Sequence, residues 1–124
     1  MPRHGRGWGL GGRTGVDQRH TPLIVSLLEP TLLHLLSESA GHAYNLLFEL
    51  EKIGLGSIHP SVVYRTLREF EGLQWVTSSL DSEQTQGPPR RTYRLTPLGH
   101  EILKDWQDEL KKADKLVAHL LGRA

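Results

Sequence analysis

The sequence predicts a mainly α-helical fold with one small β-hairpin (α+β). Three observations point there. Apolar residues recur at helical spacing in several short stretches, two β-leaning runs flank a polar loop ending in Gly87-Pro88-Pro89, and one apolar stripe runs on unbroken from Pro97. A length of 124 residues suits one domain with one core. The 37% apolar and 23% charged residues are those of an ordinary soluble globular protein.

Residues 1–21 read as a flexible basic arm. Arg3, Arg6 and Arg13 alternate with many glycines, and such a stretch buries too little apolar surface to offset its chain entropy. Trp8 and Leu10 are its sizeable apolar residues. It has no apolar core of the kind a secretory signal carries, and the run Leu23 to Leu28 is too short to cross a bilayer. A first helix is expected from Pro30, whose missing N–H is harmless in a first turn, through Leu32, Leu33, Leu35 and Leu36 to an end between Ser37 and Gly41. A second follows from Ala43 to Lys52, with Tyr44, Leu47, Phe48 and Leu50 as its buried side, broken by Gly54 and Gly56. Pro60 opens a third, to Gly72, with Val63, Leu67 and Phe70 facing inward and Arg65, Arg68 and Glu69 outward.

Two strands come next, 74–80 and 91–96, joined by the polar segment 81–89 into a hairpin with a long tip. The last helix runs from Pro97 to Leu121. Its residues Leu103, Trp106, Leu110, Ala113, Val117 and Leu120 are spaced 3, 4, 3, 4, 3, the a/d seam of helices that pack along their length. Asp108 and Lys112 stand four apart on the exposed side, in the order that favours an ion pair. Three short helices, a hairpin and a long helix make a winged helix-turn-helix (22–96) followed by a C-terminal dimerisation helix (97–124). A seam this long exceeds what one small winged domain can cover, so a homodimer is expected.

Several classes are disfavoured. No cysteine is present, which excludes a disulfide framework and fits a reducing, cytoplasmic setting. The histidines His4, His20, His34, His42, His59, His100 and His119 are scattered without a metal-binding spacing, so no metal and no cofactor is expected. His42 instead serves to order the start of the second helix. Paired carboxylates, a nucleophile elbow and a phosphate-cradling loop are all missing, so the chain is not read as an enzyme. With a net charge of only +1, any DNA contact must come from positive charge gathered on one face.

Leu32-Leu33-His34-Leu35-Leu36 leads into His42-Ala43-Tyr44. Ile58-His59-Pro60-Ser61-Val62-Val63-Tyr64 continues to Leu67 and Phe70-Glu71. Gly87-Pro88-Pro89-Arg90-Arg91-Thr92-Tyr93-Arg94-Leu95-Thr96 closes with Gly99. In order and spacing these stretches resemble the PadR family of transcriptional regulators. The resemblance implies that the third helix enters the major groove of operator DNA and that the wing reaches the backbone or minor groove. It also implies that a flat apolar ligand can bind where the terminal helices meet. Two departures stand out: Ala43 and Gln74 occupy positions where the family usually has glycine. With Gly72 two residues earlier, the left-handed turn after the third helix is expected to shift.

The residues support a DNA role in their own right. Side chains near the start of a groove-entering helix meet base edges, and here those are His59, Ser61 and Val62. Arg65 and Arg68 lie one and two turns further on, suited to guanine or to phosphate, or else plain solvated cations. Tyr64 is either a packing ring or a phosphate contact. On the wing, alternation separates Arg90 from Arg91, so one or other reaches DNA, and Asp81 and Glu83 could pair with them in the free protein. The basic arm is either a minor-groove probe or an unbound tail. Trp106 is either interface packing or a stacking platform for a planar effector, beside Asp105 and Glu109. The function expected is a homodimeric repressor of transcription, released by a ligand or signal; the alternative is a winged helix protein-interaction module without DNA binding.

Overall fold

The computed structural model describes residues 21–80 and 90–123. In chain order the elements are α1 (Pro22–Ser26), α2 (Leu28–Glu38), β1 (Gly41–His42), α3 (Ala43–Lys52), α4 (Pro60–Gly72), β2 (Val76–Leu80), β3 (Arg91–Leu95) and α5 (Pro97–Leu120). The mainly α fold with a small sheet is as the sequence predicts. Both α3 and α4 fall on their expected bounds. The expected arm, with Trp8 and Leu10, and the expected partners Asp81 and Glu83 lie outside the described residues. Among the described residues no helix is long and apolar enough to cross a membrane.

Two elements differ from expectation at the start of the fold. A short helix, α1, precedes the first expected one: the Thr21 hydroxyl accepts from the Ile24 amide and Pro22 holds the first helical position. Then α2 starts at Leu28 rather than Pro30, which leaves Pro30 still within the first turn, where no N–H is needed. The sheet gains β1, which pairs antiparallel with β3 (Gly41 opposite Tyr93, His42 opposite Thr92) to give the order β1-β3-β2.

The core is one cluster. Leu32 and Leu33 of α2, Leu50 of α3, and Val63, Leu67 and Phe70 of α4 close on Val76, Tyr93 and Leu103 from the wing and α5. The buried side of α3 matches the expected one at Leu47 and Leu50 but not at Tyr44 and Phe48. Leu46 and Leu50 are buried with Ala43 and Leu47 packed beside them, whereas Tyr44 and Phe48 are 47% and 60% exposed. At about 100° per residue, Tyr44 and Phe48 lie roughly opposite Leu46 on the helix. Their aromatic character suggested burial, but position on the helix decides.

The corner between α4 and the wing is a Schellman turn. Gln74 N–H donates to Glu71 O (3.0 Å), and Trp75 N–H donates to Phe70 O (2.9 Å). The apolar clasp of such a turn is present too, with the Phe70 and Trp75 rings 5.2 Å apart. The left-handed residue is Gln74 itself, at φ 66°, so the expected shift toward Gly72 does not occur. The same hydrogen-bond pattern ends α3 and α5, where Gly54 (φ 97°) and Gly122 (φ 76°) take the left-handed place. Strand β2 therefore begins at Val76, two residues later than expected, because Gln74 and Trp75 belong to the turn.

On the far side of this corner, Thr96 caps α5. Its hydroxyl accepts from the Gly99 amide (3.0 Å) and lies 2.7 Å from Gln74 O and 3.0 Å from Trp75 O. Gly99 must be glycine, since a Cβ there would stand 2.2 Å from the Trp75 carbonyl oxygen.

A non-glycine residue in the left-handed region costs about 1 kcal/mol. Gln74→Gly is therefore expected to stabilise the protein by roughly 0.5–1 kcal/mol and to raise Tm by about 3–6 °C in a thermal melt. An unchanged or lower Tm would show that the turn carries no strain.

Candidate nucleic-acid interface

The stripe Val63, Leu67 and Phe70 is buried, so α4 presents its opposite side to solvent. At its start His59 acts as the N-cap: Nδ1 accepts from the Ser61 amide at 3.0 Å and lies 2.9 Å from the Ser61 hydroxyl. With Nδ1 accepting, the ring proton is assigned to Nε2, which leaves that edge as a donor. His59 and Ser61 are exposed. Val62 is half-buried against the core, which leaves less of it for a base methyl than its position suggested. Arg65 and Arg68 are exposed, and neither makes a hydrogen bond or ion pair to another described residue. Tyr64, 37% exposed, lies outside the buried core.

The wing is tied to the end of α4. The Ser78 hydroxyl donates to Glu71 Oε2 (2.7 Å) and accepts from Arg91 Nη1 (2.9 Å). Beneath them Tyr93 is buried, and burial pushes its phenol above the usual tyrosine value. The Glu71 charge pushes the same way, while Arg91 and Arg68 oppose it. Arg90 goes elsewhere. Its guanidinium lies 4.4 Å from the centre of the Tyr44 ring and donates a hydrogen bond to the phenol oxygen. The separation of Arg90 from Arg91 expected from strand alternation thus appears as two different partners. His42 does not order α3 through a side-chain cap; its ring packs 5.8 Å from Tyr44 instead.

Along α5 the apolar stripe changes use. Leu103 is buried in the chain's own core, and Trp106 is half-buried with its indole N–H donating to Glu29 Oε2 of α2 (2.9 Å). Leu110 is half-buried, whereas Ala113, Val117 and Leu120 are exposed, as are the neighbouring Leu116 and Leu121. The stripe is therefore not one continuous seam for a second helix: its first turns are engaged within the chain. Lys112 pairs with Glu109 at 3.3 Å rather than with Asp108. Four side chains that position this surface, Tyr44, Glu71, Ser78 and Glu29, were not singled out as site residues from sequence. Glu29 and Ser78 carry no pattern that would have marked them.

The family model described as the transcriptional regulator PadR-like family matches residues 32–105. No curated protein matches the chain. Among solved structures, a PadR-like transcriptional regulator from Bacillus cereus is 23% identical, with a TM-score of 0.72 over 82% of this chain and 97% of that one. A PadR family transcriptional regulator from Eggerthella lenta is 24% identical, with a TM-score of 0.65 over 82% and 91%. A conserved protein of unknown function, described as a potential transcriptional factor, is 28% identical, with a TM-score of 0.71 over 84% and 92%.

The raised phenol of Tyr93 gives a pH signature. A proton held more tightly in the folded than in the unfolded state stabilises the fold fully below the ordinary tyrosine value of 10.0. That contribution is lost as pH rises above it toward the folded value. Melts between pH 9 and 11 should therefore show wild type losing Tm more steeply than Tyr93→Phe. Parallel loss in the two proteins would count against a desolvated phenol.

Proposed function

The chain belongs to the PadR-like family of transcriptional regulators, and from this premise we propose that it acts as a homodimeric repressor on operator DNA and is released by a ligand or signal. A regulator of this family is a DNA-binding protein, not an enzyme. The observation that carries the finer reading is the two-sided character of α4. One side is locked into the core by Val63, Leu67 and Phe70, and the other offers His59, Ser61, Arg65 and Arg68 to solvent. A major groove admits one such helix, with the N-terminal side chains toward base edges.

In this reading His59 and Ser61 read bases, with Val62 at the edge of the contact, and Arg65 and Arg68 bind guanine or phosphate. Tyr64 offers its phenol to the backbone, and Arg90 or Arg91 adds a wing contact. Residues 22–96 form the DNA-binding part, residues 1–21 a basic arm, and residues 97–124 the dimerisation helix. The exposed residues Ala113, Val117 and Leu120, with Leu116 and Leu121, supply the partner surface. Pairing two protomers there sets two α4 helices about 34 Å apart on one side of the duplex and favours a palindromic site. A small planar effector would enter near Trp106, between the first turns of α5 and a partner helix, and act by changing the angle between the two winged units.

Duplexes selected from a random DNA pool test this directly. Affinity for the recovered duplex should fall with salt at a log–log slope of about 0.9 per neutralised phosphate. Arg65→Glu and Arg68→Glu should each weaken binding at least tenfold or so. A protein-interaction module would show no such loss. In sedimentation at micromolar concentration, wild type should run as a dimer and Val117→Glu/Leu120→Glu as a monomer with weakened DNA binding. A monomeric wild type would overturn the dimer and the spacing it implies.

A further inference from the structure

Tyr44 stands on the solvent side of α3, and Arg90 lies immediately before β3, also exposed. The pair joins residues 46 apart in sequence. With its guanidinium 4.4 Å from the ring centre and one N–H on the phenol oxygen, Arg90 is held on two counts. His42 keeps the ring in place from β1, which is itself paired to β3. Wing, first helix of the helix-turn-helix and edge strand thus meet at one spot.

The chemistry of that spot is specific. Arg90 lies over the ring and gives one Nη1 N–H to its oxygen, which leaves the Nε and Nη2 donors without a hydrogen bond to any described residue, a pair that matches two phosphate oxygens at once. The phenol oxygen accepts from Arg90, so its own O–H can still donate. A long side chain that grips a phosphate must first lose rotamer freedom, and here the ring has already imposed that loss. Arg91 is placed differently. It bonds Ser78, whose hydroxyl is held by the Glu71 carboxylate, so its charge faces an acidic group of the same protein.

We propose that Tyr44 and Arg90 form a preassembled clamp for one phosphate of the DNA backbone. Arg90 makes the contact, Tyr44 positions it, and Arg91 braces the wing against α4. The clamp rests on the DNA-binding role proposed above and adds α3 to the contact surface. The first helix of a helix-turn-helix crosses the DNA backbone in known complexes, which suits a phosphate contact from this position.

The test uses full-length protein and the duplex recovered from the random pool, with binding followed by fluorescence anisotropy across a salt series. Arg90→Ala should weaken binding several-fold and reduce the salt slope by about 0.9 per protomer. Tyr44→Ala should move the slope in the same direction, and the double variant should lose less than the sum of the two. Tyr44→Phe keeps the ring and should keep the slope. A structural defect alone would lower Tm without changing the slope, so melts are run on each variant. A wild-type slope in Arg90→Ala, or full additivity of the two alanine variants, overturns the clamp while leaving the DNA-binding role standing. If wild type recovers no duplex from the pool, the DNA-binding role and the clamp fall together.

Discussion

Two carbonyl oxygens, those of Gln74 and Trp75, fix how the rest of the protein is arranged. The Trp75 carbonyl receives the Thr96 amide, and the Thr96 hydroxyl sits within hydrogen-bond distance of both oxygens while capping α5. Gly99 lets α5 approach that carbonyl without a clash. The Schellman turn and the Phe70–Trp75 clasp hold the same residues to the end of α4. Helix α4, the wing and α5 are thereby joined at one corner, and none can tilt without straining the other two. Backbone carbonyls left without a helical or strand partner need one from elsewhere, and here two of them find it in a single threonine, which ties the three elements together.

Charge is arranged just as locally. A net charge of +1 offers no broad attraction to a polyanion, so what matters is which cations are already engaged. Glu71 and Ser78 hold Arg91, and the Tyr44 ring holds Arg90. Arg65 and Arg68 keep their donors open among the described residues. Partly exposed contacts of this kind contribute modestly to stability. Their larger effect is to set where each guanidinium stands before any partner arrives.

Much of this was legible in the sequence because it depends on local chemistry. Gly54 and Pro60 punctuate the chain: α3 closes on the left-handed turn at Gly54, and α4 opens at Pro60. The capping pair Thr21-Pro22 carried an equally local signal for α1, which the weak periodicity beyond it hid. Other features depend on distant partners. The two-residue strand β1 exists only because β3 lies beside it. Tyr44 and Phe48 looked buried by composition, yet their outward place follows from how Leu46 and Leu50 meet the core. The fates of Arg90 and Arg91 were hidden for the same reason, their partners being 46 and 13 residues away. Gln74 shows the reverse case, in which tertiary contacts hold a left-handed turn without the residue that local preference would choose.

The tie between Trp106 and Glu29 carries a consequence for how the chain tolerates changes of length. Because α5 runs as one helix from Pro97 to Leu120, its outer apolar residues keep a fixed rotational phase relative to that anchor. Inserting or deleting one residue between Trp106 and Val117 would turn the outer end by about 100° and swing Val117 and Leu120 away from their present bearing. Insertions of three or four residues, close to a full turn, would nearly restore it. The spacing of that segment is thus constrained in steps of a helical turn, even though most of its side chains are exposed.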